Sequence, residues 1–203
     1  YSVVDEKAYP TARLGKPFTV APLRQPEQVT LKSTTLDSNL PVYLIGNKTY
    51  FARQAVYGEA DDLERFLFFS RVVLDLPKRL SWQPDIIHSH DWHTALVALW
   101  GHKGGLTPAI VFTIHNLAYQ GAFDYTFLVY SGLREDFLHS KETAPPLPLN
   151  MMALGILHAD IITTVSQTYA QEILTPEYGA GLDVLLNYRR EQLQGIVNGI
   201  DYA

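Results

Sequence analysis

Three histidines and an aspartate crowd into six positions in HSHDWH: His88, His90, Asp91 and His93. Imidazole and carboxylate are common ligands of zinc, so a metal centre is one chemistry this spacing offers. Strand alternation offers another account. In an extended segment His88 and His90 project to one face, and Ser89 and Asp91 to the other. No further carboxylate–histidine set completes a ligand shell, so the strand account is preferred and no metal is expected. Asp91 falls just past the apolar run, where it can accept a hydrogen bond from a hydroxyl. A second cluster closes FTIHNLAYQG at residues 112–121. Phe112, Thr113 and Ile114 suit a buried strand, and then His115, Asn116, Tyr119 and Gln120 arrive together. Asn116 and Gln120 carry donors and acceptors, and Tyr119 carries a flat apolar face. Sugars need both kinds of contact, so this cluster reads as a site for a polar small molecule.

Other chemistries lack their residues. The chain has no cysteine, which removes disulfides, thiolate–zinc sites and thiol nucleophiles. Ser166 lies outside any G-x-S-x-G pattern and suits a helix N-cap, with Thr168 as the alternative. The glycine run GHKGG at 101–105 follows a helical pattern and matches neither a P-loop nor a dinucleotide fingerprint. NGID at 198–201 reads locally as a turn around Gly199.

The elements that position these clusters follow from periodicity. Residues 1–27 carry Pro10, Pro17, Pro22 and Pro26 and read as irregular. Strands at 28–36 and 40–46 flank a DSN turn and suit a hairpin. Residues 61–80 predict a helix, with Leu63, Phe66, Leu67, Val73, Leu74 and Leu76 at helical spacing, acids at its start and bases at its end. A strand at 84–90, a helix at 94–103 and a strand at 108–115 follow. Then come a helix at 149–158, a strand at 159–166, short helices at 167–174 and 180–192, and a strand at 193–201. From residue 61 onward helix and strand alternate. That order predicts an α/β fold: a Rossmann-like, doubly wound, mostly parallel sheet with helices on both faces. Such sheets bind ligands beyond the carboxyl ends of their strands, where HSHDWH, HNLAYQG, VSQTY and NGID fall.

Composition narrows the function classes. The 203 residues are 47% hydrophobic and 18% charged, enough apolar content for a substantial core. The formal net charge is −5 and no basic stripe appears, so no nucleic-acid partner is expected. No apolar run reaches the roughly 20 residues that span a bilayer, so no membrane partner is expected either. The opening YSVVDEKAYP is no signal peptide and lacks a starting methionine, as in a chain cut from a longer protein.

Five phrases in order carry a family resemblance: VYGEADDLERFLFFSR, PDIIHSHDWHTAL, VFTIHNLAYQGAF, ADIITTVSQTYAQEILTPEYGAGLDVLL and GIVNGIDY. Together they cover roughly three quarters of the chain, and the sequence resembles the bacterial glycogen synthase and plant starch synthase family. The resemblance implies a retaining glucosyltransferase of the two-domain GT-B fold. It implies transfer of glucose from ADP-glucose, or UDP-glucose, to the non-reducing end of an α-1,4-glucan, with no metal and no cofactor. His115 would be the catalytic position, with its main-chain carbonyl near the anomeric carbon and its side chain near the sugar's 6-hydroxyl. Asn198 would contact the donor glucose, Asp91 and Asn116 would line the sugar subsites, and Tyr57 would lie on the acceptor side. The expected partners are the glucan and the sugar nucleotide, in the bacterial cytoplasm or, for a plant or algal source, the plastid.

Two departures shape the expectation. The family opens with a strand and a KTGGL loop, which this sequence lacks. It also continues past NGID into a second domain that holds the diphosphate, whereas this sequence ends at Ala203. Residues 1–203 are therefore expected to be a partial N-terminal, acceptor-side domain without the first strand and without the nucleotide-binding domain. That first strand is expected at the sheet's centre, so its loss should leave a gap between two others. The alternative is a non-catalytic glucan-binding or scaffolding relic of the same fold.

Overall fold

The computed structural model describes Val4 and residues 7–21, 25–36, 39–101 and 108–200. They fall into two units, residues 1–68 and 69–203. The first unit is built on an antiparallel sheet of β1 (Ala12–Val20), β2 (Glu27–Leu36) and β3 (Leu40–Gly46), in that order. The expected hairpin is present: β2 and β3 pair from Leu36 opposite Leu40 to Thr30 opposite Gly46. Asp37 and Ser38 of the expected turn lie outside the described residues. The expectation that residues 1–27 are irregular is corrected by β1. Its register slips between Leu14 and Phe18, which lets Pro17 sit in a strand without breaking the ladder on either side. An edge strand with a bulge tolerates the missing amide hydrogen that proline brings. Val29, Leu31 and Ile45 form the buried side of this sheet.

Helix α1 (Asp62–Arg79) matches the expected helix within a residue at each end, with acids in its first turn and bases in its last. Its buried face holds residues the apolar pattern left out: Arg65, Phe68, Ser70 and Val72 are all buried. Arg65 is tolerated because each part of its guanidinium has a partner. It donates to the Tyr50 carbonyl at 3.0 Å, to the Val56 carbonyl at 3.0 Å and to the Asp62 carboxylate at 2.5 Å. A buried charge without such partners would be costly. The Phe68 ring lies 4.9 Å from Tyr50 and 5.7 Å from Phe51.

The second unit carries the parallel sheet. Its strands are β4 (Ile86–His90), β5 (Ala109–Ile114), β6 (Ile161–Thr164) and β7 (Leu193–Gly195). They lie side by side in that order, all parallel. β4 to β7 adjoin one another directly, so among the described residues the place for a further strand of this sheet is the outer edge of β4 or of β7. The expected strand at 193–201 is corrected to three residues, and beyond it Val197 and Ile200 are exposed.

Helices α2 (Asp91–Gly101) and α5 (Met151–His158) cover the face of the sheet that carries Ile110, Phe112 and Ile114. Both are buried along almost their whole length. A Cβ built on Gly155 of α5 would lie 2.7 Å from the Phe112 ring and 2.9 Å from Ala95 of α2. The two helices approach each other and the sheet at a point where only hydrogen fits. On the opposite face His88 and His90 are exposed. Between β5 and α5 stand two helices that the periodic pattern did not show, α3 (Tyr125–Tyr130) and α4 (Arg134–Thr143). Asp124 caps α3 by accepting the Phe127 amide hydrogen at 2.7 Å. The late short helices are α6 (Gln167–Glu172) and α7 (Asp183–Tyr188), with a 3₁₀ turn at Arg190–Gln192. Ser166 is the expected N-cap of α6, accepting from the Tyr169 amide at 2.9 Å.

Replacing Gly155 with alanine is expected to destabilise the fold by about 1–3 kcal/mol, the usual cost of overpacking a filled core. Denaturant unfolding of wild type and variant at matched concentration measures it. An unchanged midpoint would mean that α5 sits less tightly on Phe112 than described.

Candidate functional site

The site begins where β4 becomes α2 with no residue between them. His90 ends the strand and Asp91 starts the helix. So abrupt a junction puts Asp91 at φ +54°, the left-handed region, which aspartate enters at lower cost than most residues with a Cβ. The helix therefore starts three residues earlier than its apolar pattern suggests. Thr94, one turn into α2, ties the junction together. Its hydroxyl accepts from the His90 amide at 2.6 Å and donates to the His90 carbonyl at 2.7 Å.

This junction aims Asp91 at the neighbouring strand. Asp91 Oδ1 accepts the main-chain N–H of His115 at 2.8 Å. His115 is the first residue past β5, so the carboxylate of one strand end grips the backbone of the next. One oxygen expected to meet a sugar hydroxyl is thus engaged with the protein itself. The imidazoles are gathered as well. His90 Nδ1 and His115 Nε2 lie 3.1 Å apart, with ring centroids at 5.3 Å. His88 stacks on His90 at 4.2 Å and reaches Thr113 Oγ1 at 2.6 Å. Thr113 in turn lies 2.6 Å from Thr163 Oγ1 across β5 and β6. His93 leaves this group, its ring lying against Trp92 at 4.3 Å on α2.

The loop after His115 is shaped by three further side chains. Asn116 folds back to accept the Ala118 amide hydrogen at 3.0 Å. The Tyr169 hydroxyl of α6 accepts the Leu117 amide hydrogen at 3.2 Å. Gln120 joins three segments: its amide donates to the carbonyls of Leu117 at 3.2 Å and Ala180 at 2.9 Å, and its carbonyl accepts from Asn150 at 2.7 Å. Asn150 also caps α5 through the Ala153 amide. Gly121 then turns with φ +60°, and a Cβ there would lie 2.3 Å from the Trp92 ring. Glycine is required twice over, for its backbone angle and for its closeness to the indole. Tyr119 projects from this loop, 67% exposed.

Of the five expected site residues, the structure brings three together: Asp91, His115 and Asn116 stand at adjoining strand ends. Asn198 is exposed, three residues past the end of β7, and β7 lies two strands from β5. Tyr57 is 67% exposed and belongs to the other unit. Sequence reasoning missed Thr94, Thr113, Thr163 and Tyr169. Only Thr113 and Thr163 left a trace, as polar residues inside otherwise apolar strands.

Partial burial in the stack pushes His88 below the usual histidine pKa, and repulsion from His115 adds to it. His90 is lowered for the same first reason, then by His88 and His115, against an opposing pull from Asp91. A group whose folded pKa lies below its unfolded value, about 6.5 for histidine, binds fewer protons when folded. Its contribution to stability is present above that value and lost as pH falls through the folded pKa. Unfolding free energy is therefore expected to decline below about pH 6.5, with His88→Gln and His90→Gln each flattening the slope. The matching measurement is a proton NMR titration of the two rings, and midpoints above the unfolded value would contradict the stack.

A family model described as "Starch synthase catalytic domain" matches residues 1–188. The glycogen synthase of Geotalea uraniireducens is 46% identical over 175 residues, covering 81% of this chain and 36% of the relative. That of Geotalea daltonii is 42% identical, covering 100% of this chain and 44% of the relative. The chain thus spans less than half the length of these relatives. A solved structure, the catalytic domain of starch synthase IV from Arabidopsis thaliana bound to ADP and acarbose, superposes with a TM-score of 0.83 at 34% identity. It covers 95% of this chain, which spans 41% of it. With a family match over nearly its whole length and a shared parallel α/β architecture, the chain belongs to the starch synthase catalytic-domain family.

Proposed function

We propose that the chain is the N-terminal, acceptor-side part of a glucan synthase. The whole protein transfers glucose from ADP-glucose to the non-reducing end of an α-1,4-glucan, with retention at the anomeric carbon. The observation that carries this reading is the grip of Asp91 on the His115 main chain at the carboxyl ends of parallel strands. It holds the Ile114–His115 peptide, whose carbonyl accepts from the Thr164 hydroxyl at 2.8 Å, in one orientation and leaves an exposed imidazole beside it. From that fixed point the next carbonyl along the chain, that of His115, can stabilise positive charge developing on a sugar ring that it faces. The relatives named glycogen synthase, and the ADP and acarbose bound to the similar starch synthase IV, support the same substrate class. Asn116 lines the sugar subsite in this reading, Asn198 reaches the donor from the chain that follows β7, and Tyr57 serves the acceptor. The family's second domain supplies the diphosphate contacts. The bacterial cytoplasm is the compartment that goes with this activity, or the plastid if the source is a plant.

The reaction needs no metal or other cofactor in this reading. The histidines of HSHDWH make separate contacts: His88 with His90 and Thr113, His90 with His115, and His93 with Trp92. Among the described residues, no helix is long and apolar enough to cross a membrane.

The defining experiment supplies labelled ADP-glucose or UDP-glucose and glycogen to the full-length protein and follows label into α-1,4 linkages. Incorporation from ADP-glucose is expected to exceed that from UDP-glucose. Glucan binding with no transfer from either donor would favour a non-catalytic role. In the same assay His115→Ala is expected to lower kcat by about 10²–10³, the usual loss of one positioned polar group in a transition state. Its unfolding midpoint should stay near that of the wild type, and near-normal turnover would return His115 to a purely structural part. Exhaustive chelation is expected to leave the rate unchanged. A rate that vanished and came back only with zinc or manganese would reverse the assignment of HSHDWH.

A further inference from the structure

The imidazole of His115 has a neighbour whose purpose the reaction does not by itself explain. We infer that His90 is a positioning residue: its Nδ1 holds His115 Nε2 and thereby selects the tautomer and ring orientation that His115 presents to the sugar. The inference rests on the glucosyl-transfer reading for its kinetic consequence, but its geometry stands independently.

Two neutral imidazoles 3.1 Å apart share one hydrogen bond, in which one nitrogen must donate and the other accept. Whichever way it runs, Nε2 of His115 is committed to His90. Its opposite nitrogen, Nδ1, is then left with a definite role, donor or acceptor, toward anything bound at the strand end. Histidines that act on ligands are commonly fixed in this manner, by the bond that the other ring nitrogen makes.

An exposed imidazole pair has little strength alone, because water competes for both nitrogens. Here the two partners are held before they meet. His90 is fixed at its backbone by both bonds to Thr94 and at its ring by the stack on His88. His88 is anchored to Thr113, and Thr113 to Thr163, so the stack rests on two further strands. His115 is fixed at its backbone by Asp91. The titratable groups that face His90 are His88 from its own strand, Asp91 from the helix start and His115 from the β5 end. The lowering of His90 favours its neutral ring, which can either donate to or accept from His115.

Two substitutions separate positioning from bulk. Asparagine places an amide atom close to where histidine has Nδ1, so His90→Asn keeps a partner for His115. His90→Leu keeps volume and removes the partner. In full-length protein His90→Leu is expected to lower kcat by roughly 10- to 100-fold with little change in donor KM, the scale of a small misplacement at a reacting centre. His90→Asn should recover most of that loss. Nitrogen-15 NMR of the His115 ring supplies the second reading: one dominant tautomer in wild type and His90→Asn, a mixture in His90→Leu. Turnover within twofold of wild type in His90→Leu with an unchanged tautomer overturns the inference, as does an equal loss in both variants. If the wild-type protein transfers no glucose, the glucosyl-transfer reading fails, and the tautomer measurement alone decides the role of His90.

Discussion

A carboxylate that accepts a main-chain hydrogen from the next strand is the contact on which the candidate site depends. Asp91 can make it because β4 runs into α2 without a connecting residue. Any loop there would carry the side chain away from β5. The abrupt junction forces a left-handed angle on a residue with a Cβ, a cost that the fold bears at the place where the bond to His115 is made. Thr94 secures the same junction from the helix side. Removing the constraint would release the peptide of His115 and the ring attached to it.

The second constraint is closeness. Gly155 brings α5 down onto Phe112 and against α2, and Gly121 brings the loop after β5 onto the Trp92 ring. These contacts place the start of α5 beside that loop, so Asn150 can cap the helix and also reach Gln120. Gln120 then fastens the loop to the segment around Ala180. Dense packing beneath the sheet ends thus becomes polar order above them. A core that had to yield at Gly155 would shift the residues that shape the mouth of the site.

The two faces of the sheet divide the work. One is apolar and buried under α2 and α5. The other carries His88, His90 and Thr113, linked by stacking and by a short hydrogen bond, with Thr163 adding a further link. Strand alternation alone accounts for the division, because residues two apart share a face. The polar side can therefore hold ordered imidazoles without taking any volume from the core.

Much of this was legible in the sequence. The alternation of apolar runs and helical stretches gave the parallel sheet, and its strand ends marked where polar residues meet. Periodicity is local, so it survives without tertiary information. His88 and His90 could be assigned to one face by counting, and Ser166 could be assigned as a cap. What counting could not reach was every contact between segments far apart in the chain. The bond from Asp91 to His115 spans 24 residues and that from Gln120 to Ala180 spans 60. The β1 strand stayed hidden because its proline is harmless only once a partner and a bulge exist. The burial of Arg65 stayed hidden because a charge is admitted to the interior only where carbonyls and a carboxylate already wait for it. Residue type and spacing determined which chemistry was available to this chain. Which groups touch, and therefore which nitrogen of which histidine is left for a ligand, was decided only when the strands were laid side by side.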